Sequence, residues 1–235
     1  MNRSLLATCA ALALGICSLA SQAANVTLTG WAYGSGNNVM ASGPGILAGS
    51  YSGQAGGFIG SLGAAGSFNT PSFLTYCIEL EENFSFSGDA MKGYTVVDGA
   101  SYFAGRRLLN PSRPDGAGVT ERLGQLMTWL NADTTRVDTA AESTAMQLAI
   151  WNIVYDSDSS LSTAGAFNDG SSYRTLASTM LDGASKMDNR YDVFALTRAG
   201  KQDFLLTTLR VPEPGSLALV GLALAGLGLA RRRQA

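Results

Sequence analysis

Residues 139–155 read TAAESTAMQLAIWNIVY, and the period of that stretch is helical. Thr139 and Glu142 stand at capping-box spacing, where each side chain satisfies an orphan backbone N–H at a helix start. Gln147, Ile150, Trp151 and Val154 follow at i, i+3, i+4 and i+7, so they share one face of a helix that runs to about Tyr155. The three apolar members predict that this face is buried. Gln147 is thereby placed at the edge of, or within, an apolar interface. A buried carboxamide needs partners for its oxygen and for its NH2 group.

Outward from this helix the pattern changes character. On its N-terminal side, Val119, Leu123, Leu126, Met127 and Leu130 predict another helix, after a loop from Asn110 to Gly118 that holds Pro111 and Pro114. Earlier still, the period is two. Val26-Thr27-Leu28-Thr29, Phe84-Ser85-Phe86 and Tyr94-Thr95-Val96 alternate, and Phe73 to Leu80 is the strongest strand candidate. Turn signals at Gly34-Ser35-Gly36-Asn37-Asn38, Ser87-Gly88-Asp89 and Asp98-Gly99 separate these pieces. Gly43 to Gly66 reads equally as a long loop or as loosely paired strands. On the C-terminal side, a weaker helix spans roughly Ser172 to Ala184. Val193 to Leu196 and Asp203 to Leu206 flank a turn containing Gly200 and predict a closing hairpin. There is no internal repeat. The fold class is α+β: a β-rich N-terminal half, a helical C-terminal subdomain and a closing hairpin.

Both ends read as processing segments. Arg3 precedes an apolar stretch from Leu5 to Ala20, and Ser21 and Ala23 have the spacing of a signal-peptidase site. Residues 1–23 are therefore expected to be a secretory signal peptide, cut after Ala23. Cys17 follows Ile16, where a lipoprotein would need a small residue. At the other end, Val211-Pro212-Glu213-Pro214-Gly215-Ser216 leads into an apolar run from Leu217 to Ala230 and then Arg231-Arg232-Arg233. Two prolines around a glutamate make a stiff, extended grip. The apolar run partitions into a bilayer as a transmembrane sorting helix, and the arginines stay on its cytoplasmic side. At ~1.5 Å per residue the run falls short of a ~30 Å hydrocarbon core, which suits a transient anchor. The division is thus 1–23 leader, 24–210 body and 211–235 sorting segment.

The chain has 235 residues. Of its 16 basic residues, four (Arg3, Arg231, Arg232, Arg233) lie in the ends; of its 18 acidic ones, only Glu213 does. The body carries 12 bases and 17 acids, a net charge of −5, which argues against nucleic acid as a partner. There is no histidine, so Ser-His-Asp and Cys-His constellations and His-ligated zinc are excluded. Three cysteines are present, and Cys9 and Cys17 leave with the leader. Cys77 then stands alone in an oxidising compartment, without an internal disulfide partner.

Two resemblances follow from these motifs. The tail resembles the PEP-CTERM sorting signal, with Pro212, Glu213 and Pro214, the apolar run and the arginines in order. That resemblance implies a Gram-negative producer of exopolysaccharide, an exosortase that recognises Pro212-Glu213-Pro214, passage through the inner membrane, and delivery to the cell surface or extracellular matrix. In the body, Tyr76-Cys77-Ile78-Glu79 and Gln147-Leu148-Ala149-Ile150-Trp151 resemble the two halves of the thioester domains of bacterial surface adhesins. That family joins a strand-borne cysteine to a helix-borne glutamine side chain, and Met146 stands here where the family has threonine. The resemblance implies a Cys77–Gln147 cross-link, with Tyr76, Ile150 and Trp151 as its dry pocket.

The chemistry explains the residue types. The Cys77 thiolate attacks the Gln147 carboxamide carbon and expels ammonia, leaving a masked acylating group. A surface amine or hydroxyl on a partner then captures the acyl group once. This is coupling and not turnover, so no enzyme, cofactor or metal is expected. The other reading of the same residues is structural: Cys77 as a small buried hydrophobe, Gln147 as a core amide bonded to backbone, and the protein as a passive component of the exopolysaccharide matrix. Among weaker signals, Glu79, Glu81, Glu82 and Asp89 read as a solvated acidic face. Asp156-Ser157-Asp158 begins like a calcium loop but lacks the glycine and distal glutamate of one. Trp31, Trp129 and Trp151 read as core.

Overall fold

The computed structural model describes residues 23–65, 68–84, 86, 91–161, 165 and 167–210. The expected leader, apart from Ala23, and the expected sorting helix lie outside these residues, as does Asp89. Among the described residues, no helix is long and apolar enough to cross a membrane.

The architecture is mixed α+β with a β-rich first half. Strand β1 (Ala23–Trp31) alternates as expected: Ala24, Val26 and Leu28 are buried while Asn25 and Thr29 face outward. It is followed by β2 (Asn37–Ser42), β3 (Ser50–Ala55), β4 (Phe58–Ala65), β5 (Phe68–Thr75) and β6 (Met91–Asp98). The glycine-rich stretch from Gly43 onward therefore resolves into a short loop and two strands in different sheets, β3 paired with β2 and β4 paired with β1 and β5. Four helices come next: α1 (Gly99–Leu109), α2 (Gly116–Asn131), α3 (Ala140–Tyr155) and, after the two-residue β7 (Asn168–Asp169), α4 (Arg174–Ala184). The chain closes with β8 (Tyr191–Arg198) and β9 (Lys201–Leu209), turned at Gly200, whose φ of +73° suits a residue without Cβ.

Six strands form one antiparallel sheet in the order β5-β4-β1-β6-β8-β9, and β3-β2-β7 form a smaller one. The closing hairpin thus joins the sheet begun by β1, so the helices are an insertion into that sheet and not a separate terminal subdomain. The β5 and β9 edges also meet. Beyond Thr75 the chain crosses to β9: Leu205 N–H donates to the Tyr76 carbonyl (2.9 Å) and Ile78 N–H to the Asp203 carbonyl (3.1 Å), with Cys77 bridged opposite Phe204.

That crossing corrects one expectation. Phe73 to Leu80 is not a single strand; β5 ends at Thr75 because the chain exchanges β4 for β9 as its partner. Phe84 and Phe86 lie outside any strand and stack edge-on at 5.2 Å beside Trp31 and Phe58. Asp98-Gly99 is not a turn but a helix start, with the Asp98 carboxylate accepting from Ser101 N–H.

Helix α3 is the centre of the core. Every residue from Ser143 to Tyr155 is buried. It packs against α4, α2 and the small sheet. Its start is the expected capping box, with Thr139 and Glu142 bonded reciprocally.

Candidate functional site

The bridge at Cys77 has a consequence for its own main chain. In an antiparallel pair, residues alternate between bonding the partner and bonding the opposite side. Tyr76 and Ile78 bond β9, so the Cys77 N–H and carbonyl point away from it and would be orphans. Gln147 of α3 satisfies both. Cys77 N–H donates to Gln147 Oε1 at 3.0 Å, and Gln147 Nε2 donates to the Cys77 carbonyl at 2.8 Å. One side-chain amide takes the place of a missing strand. Both residues are buried, at 7% and 1% exposure, so this pairing is not exchanged with water.

The pair lines a cleft of about 240 Å³. Trp151, one helical turn beyond Gln147, lines it too, edge-on to Tyr51 at 5.2 Å. The Trp151 indole N–H has no hydrogen-bond partner among the described residues. Trp31, Phe58, Phe84 and Phe86 form an aromatic wall, and Gln54, Asn83 and Gln202 supply polar edges. Tyr76 and Ile150 are fully buried but are not among the lining residues. Tyr76 alternates to the other side of the segment, its ring so close to Gly57 that a Cβ there would approach to 2.8 Å. Met146 is wholly buried in the core.

The acidic cluster departs from the sequence reading. Glu79 is buried at 1% exposure instead of solvated. Its Oε2 accepts from Arg106 at 2.7 Å and its Oε1 from Asp203 N–H at 3.0 Å. Arg106 bridges on to Asp203 at 2.7 Å, and Tyr102 donates its hydroxyl proton to the same Asp203 oxygen at 2.6 Å. The carboxylates of Glu79, Glu82 and Asp203 approach within 4.8 Å of one another, and Arg106 supplies the positive charge among them. Glu81 has a separate role: it pairs with Arg113, whose guanidinium lies 4.3 Å over the Tyr155 ring, and accepts from the Tyr155 hydroxyl.

Electrostatics set the reactivity. Burial pushes the Cys77 thiol well above its ordinary pKa, and the nearby Glu79 charge adds to this. Burial first, then Asp203, raises Glu79 to about 8, although Arg106 pulls the other way. The thiol is therefore protonated at neutral pH and is not a free-standing nucleophile. Asp156 and Asp158 are used locally: the Asp156 carboxylate accepts from Asp158 and Phe167 N–H groups, and Arg122 binds the carbonyls of both aspartates. Trp129 carries Arg136 over its ring at 4.6 Å.

Sequence reasoning selected Cys77, Gln147 and Trp151, which the fold brings to one cleft. It missed Glu79 as a member of that cleft. The signal was present, since Glu79 lies two residues after Cys77 in extended chain.

Comparison with known proteins gives two findings about this chain. Among solved structures it is similar to the N-terminal thioester domain of a surface protein from Clostridium perfringens, in a cysteine-to-alanine variant, with a TM-score of 0.43 and 17% identity over 65% of this chain and 89% of that one. No curated protein matches. Residues 210–234 match the PEP-CTERM protein-sorting motif, and the tail of the chain is therefore one that implies export and sorting to the cell surface or extracellular space in Gram-negative bacteria.

Proposed function

We propose that this protein is an exosortase-sorted surface or extracellular-matrix protein whose body couples covalently, once per molecule, to a partner through a Cys77–Gln147 thioester. The observation that carries this reading is the paired hydrogen bonding of the Gln147 carboxamide to the Cys77 main chain inside a shared cleft. It fixes the amide of one residue against the backbone of the only cysteine in the body. The Cys77 N–H on Oε1 also polarises the carbonyl and is placed to receive charge that develops on that oxygen. The product is an acyl group shielded by Trp151 and the aromatic wall, which slows hydrolysis by excluding water. An amine or hydroxyl entering the cleft would take the acyl group and free the thiol. Such a reaction consumes the protein and is not enzymatic.

The test is the intact mass of the exported protein. It should be short by one ammonia. Methylamine should then add its full mass and expose one thiol. A second reading is favoured by the same two hydrogen bonds: they leave no polar atom of the Gln147 amide or the Cys77 main chain unmet, as a purely structural pin would. In that reading the protein is a passive matrix component. A full-mass protein with a free Cys77 thiol from the outset selects it.

A further inference from the structure

We infer that Glu79 is the proton carrier for making and opening the Cys77–Gln147 bond, an inference that rests on the thioester reading. The chain has no histidine to move a proton, and the thiol is buried and protonated. Something in the cleft has to take that proton before sulfur can attack. Cys77 and Glu79 lie two residues apart along an extended segment, so their side chains fall on the same side, and both line the cleft while Ile78 does not. Glu79 is also held in place. Its side chain is buried at 0% exposure, with one oxygen on Arg106 and the other on Asp203 N–H, and its carbonyl accepts from Gln202. Each carboxylate oxygen has a further lone pair free for a proton.

The charge count around it favours proton exchange. From α1 come Arg106 and the Tyr102 hydroxyl, from β9 Asp203, from β6 Tyr94, from its own segment Cys77, and from the following loop Glu82. Two buried carboxylates share one guanidinium, with a third carboxylate within 4.8 Å. Burial first, and then the neighbouring negative charge of Asp203, raises the proton affinity of Glu79, against the pull of Arg106, into the range where a carboxyl can both accept and return a proton near neutrality.

The steps balance without an external reagent. Glu79 carboxylate takes the thiol proton. The sulfur lone pair adds to Gln147 Cδ, and the carbonyl pair moves onto Oε1, where Cys77 N–H donates. The carbonyl re-forms as the C–N bond breaks with its electron pair on nitrogen. Glu79 returns its proton to that nitrogen, and ammonia leaves neutral. Capture by an amine runs the same relay: the amine adds to Cδ, its proton passes to Glu79, and Glu79 delivers it to the departing sulfur.

The experiment follows methylamine uptake and thiol release by the full-length protein between about pH 5 and 10, at constant unprotonated methylamine. The wild-type rate should rise with pH through a midpoint near 8, as Glu79 becomes carboxylate. Glu79→Gln should either remain at full mass with a free thiol or react about 100-fold more slowly, without that midpoint. Two further variants keep the test alive if Glu79→Gln does not fold. Asp203→Asn removes a neighbouring negative charge and should move the midpoint down. Arg106→Gln removes the positive charge and should move it up. A Glu79→Gln protein that reacts within twofold of wild type with an unchanged profile overturns the role of Glu79 but leaves the thioester standing, as do unmoved midpoints in both neighbouring variants. A wild type that neither loses ammonia nor takes up methylamine overturns the thioester itself.

Discussion

Helices α2 and α3 have the same length and adjoin one another, yet they are built on different plans. The buried residues of α2 lie on one side: Val119, Leu123, Leu126, Met127 and Leu130 face the core, and Glu121, Gln125 and Asn131 do not. α3 is buried all round, and its interior includes Ser143, Thr144, Gln147, Asn152 and Tyr155. Each of these reaches a different part of the chain. Ser143 accepts from Gly57 N–H at 2.8 Å, Thr144 donates to the Ala55 carbonyl at 2.9 Å, Gln147 pairs with Cys77, Asn152 donates to the Ser160 carbonyl at 2.9 Å, and the Tyr155 hydroxyl accepts from Leu80 N–H at 2.8 Å. Apolar packing is most of what holds α2, whose buried polar side chain, Thr128, accepts from Arg190 N–H at 3.0 Å. The register of α3 is specified by hydrogen bonds, because a slip would leave buried polar groups unpaired. The residue proposed to react is one member of this polar series.

The sharpest test of that contrast is Cys77→Ala. The Gln147 bonds go to Cys77 main chain, so they survive the change, and folding should be nearly unaffected while methylamine incorporation falls to zero by mass. A collapse of the fold would mean that the thiol itself holds α3. The next effect belongs to α2. Leu123→Ala empties a wholly buried site and should cost about 2–5 kcal/mol in denaturant unfolding, with amine uptake by the remaining folded protein unchanged. Thr144→Val, of similar shape, should cost about 1–3 kcal/mol, because the Ala55 carbonyl and the Asn37 side-chain amide each lose a partner. A neutral result there would undo the idea that polar bonds set the register of α3. Smallest is Thr139→Ala, which removes the cap at the exposed end of α3 for about 1 kcal/mol and should leave cleft chemistry intact.

The same contrast explains what could be read from the residues alone. α2, the start of α3 and the hairpin at Gly200 rest on local rules of period, cap and turn, and these were legible. α1 was not, since GASYFAGRRLL carries two glycines and no clear apolar stripe; it is helical because Asp98 caps it and Phe103 packs inward. The break at Thr75 was hidden because strand propensity continues through Cys77 while the pairing partner changes. In the site, Cys77, Gln147 and Trp151 were visible as residue types at informative spacing. Glu79 was not, because four acids in a short stretch resemble a solvated surface until Arg106 and Asp203, both far along the chain, are seen to enclose one of them.

The way the domain finishes has its own consequence. β9 is the last strand of the sheet order, and just past its end Arg210 is still fastened to the start of β8, by its N–H to the Arg190 carbonyl at 2.8 Å and its guanidinium to Asp192. Only Val211 separates that clasp from Pro212. Two links of chain span at most about 7 Å. A sorting partner that grips the proline-glutamate-proline segment, as proposed, would start within that reach of Arg210, and the clearance it needs would have to come from its own shape or from loosening of the outermost strand.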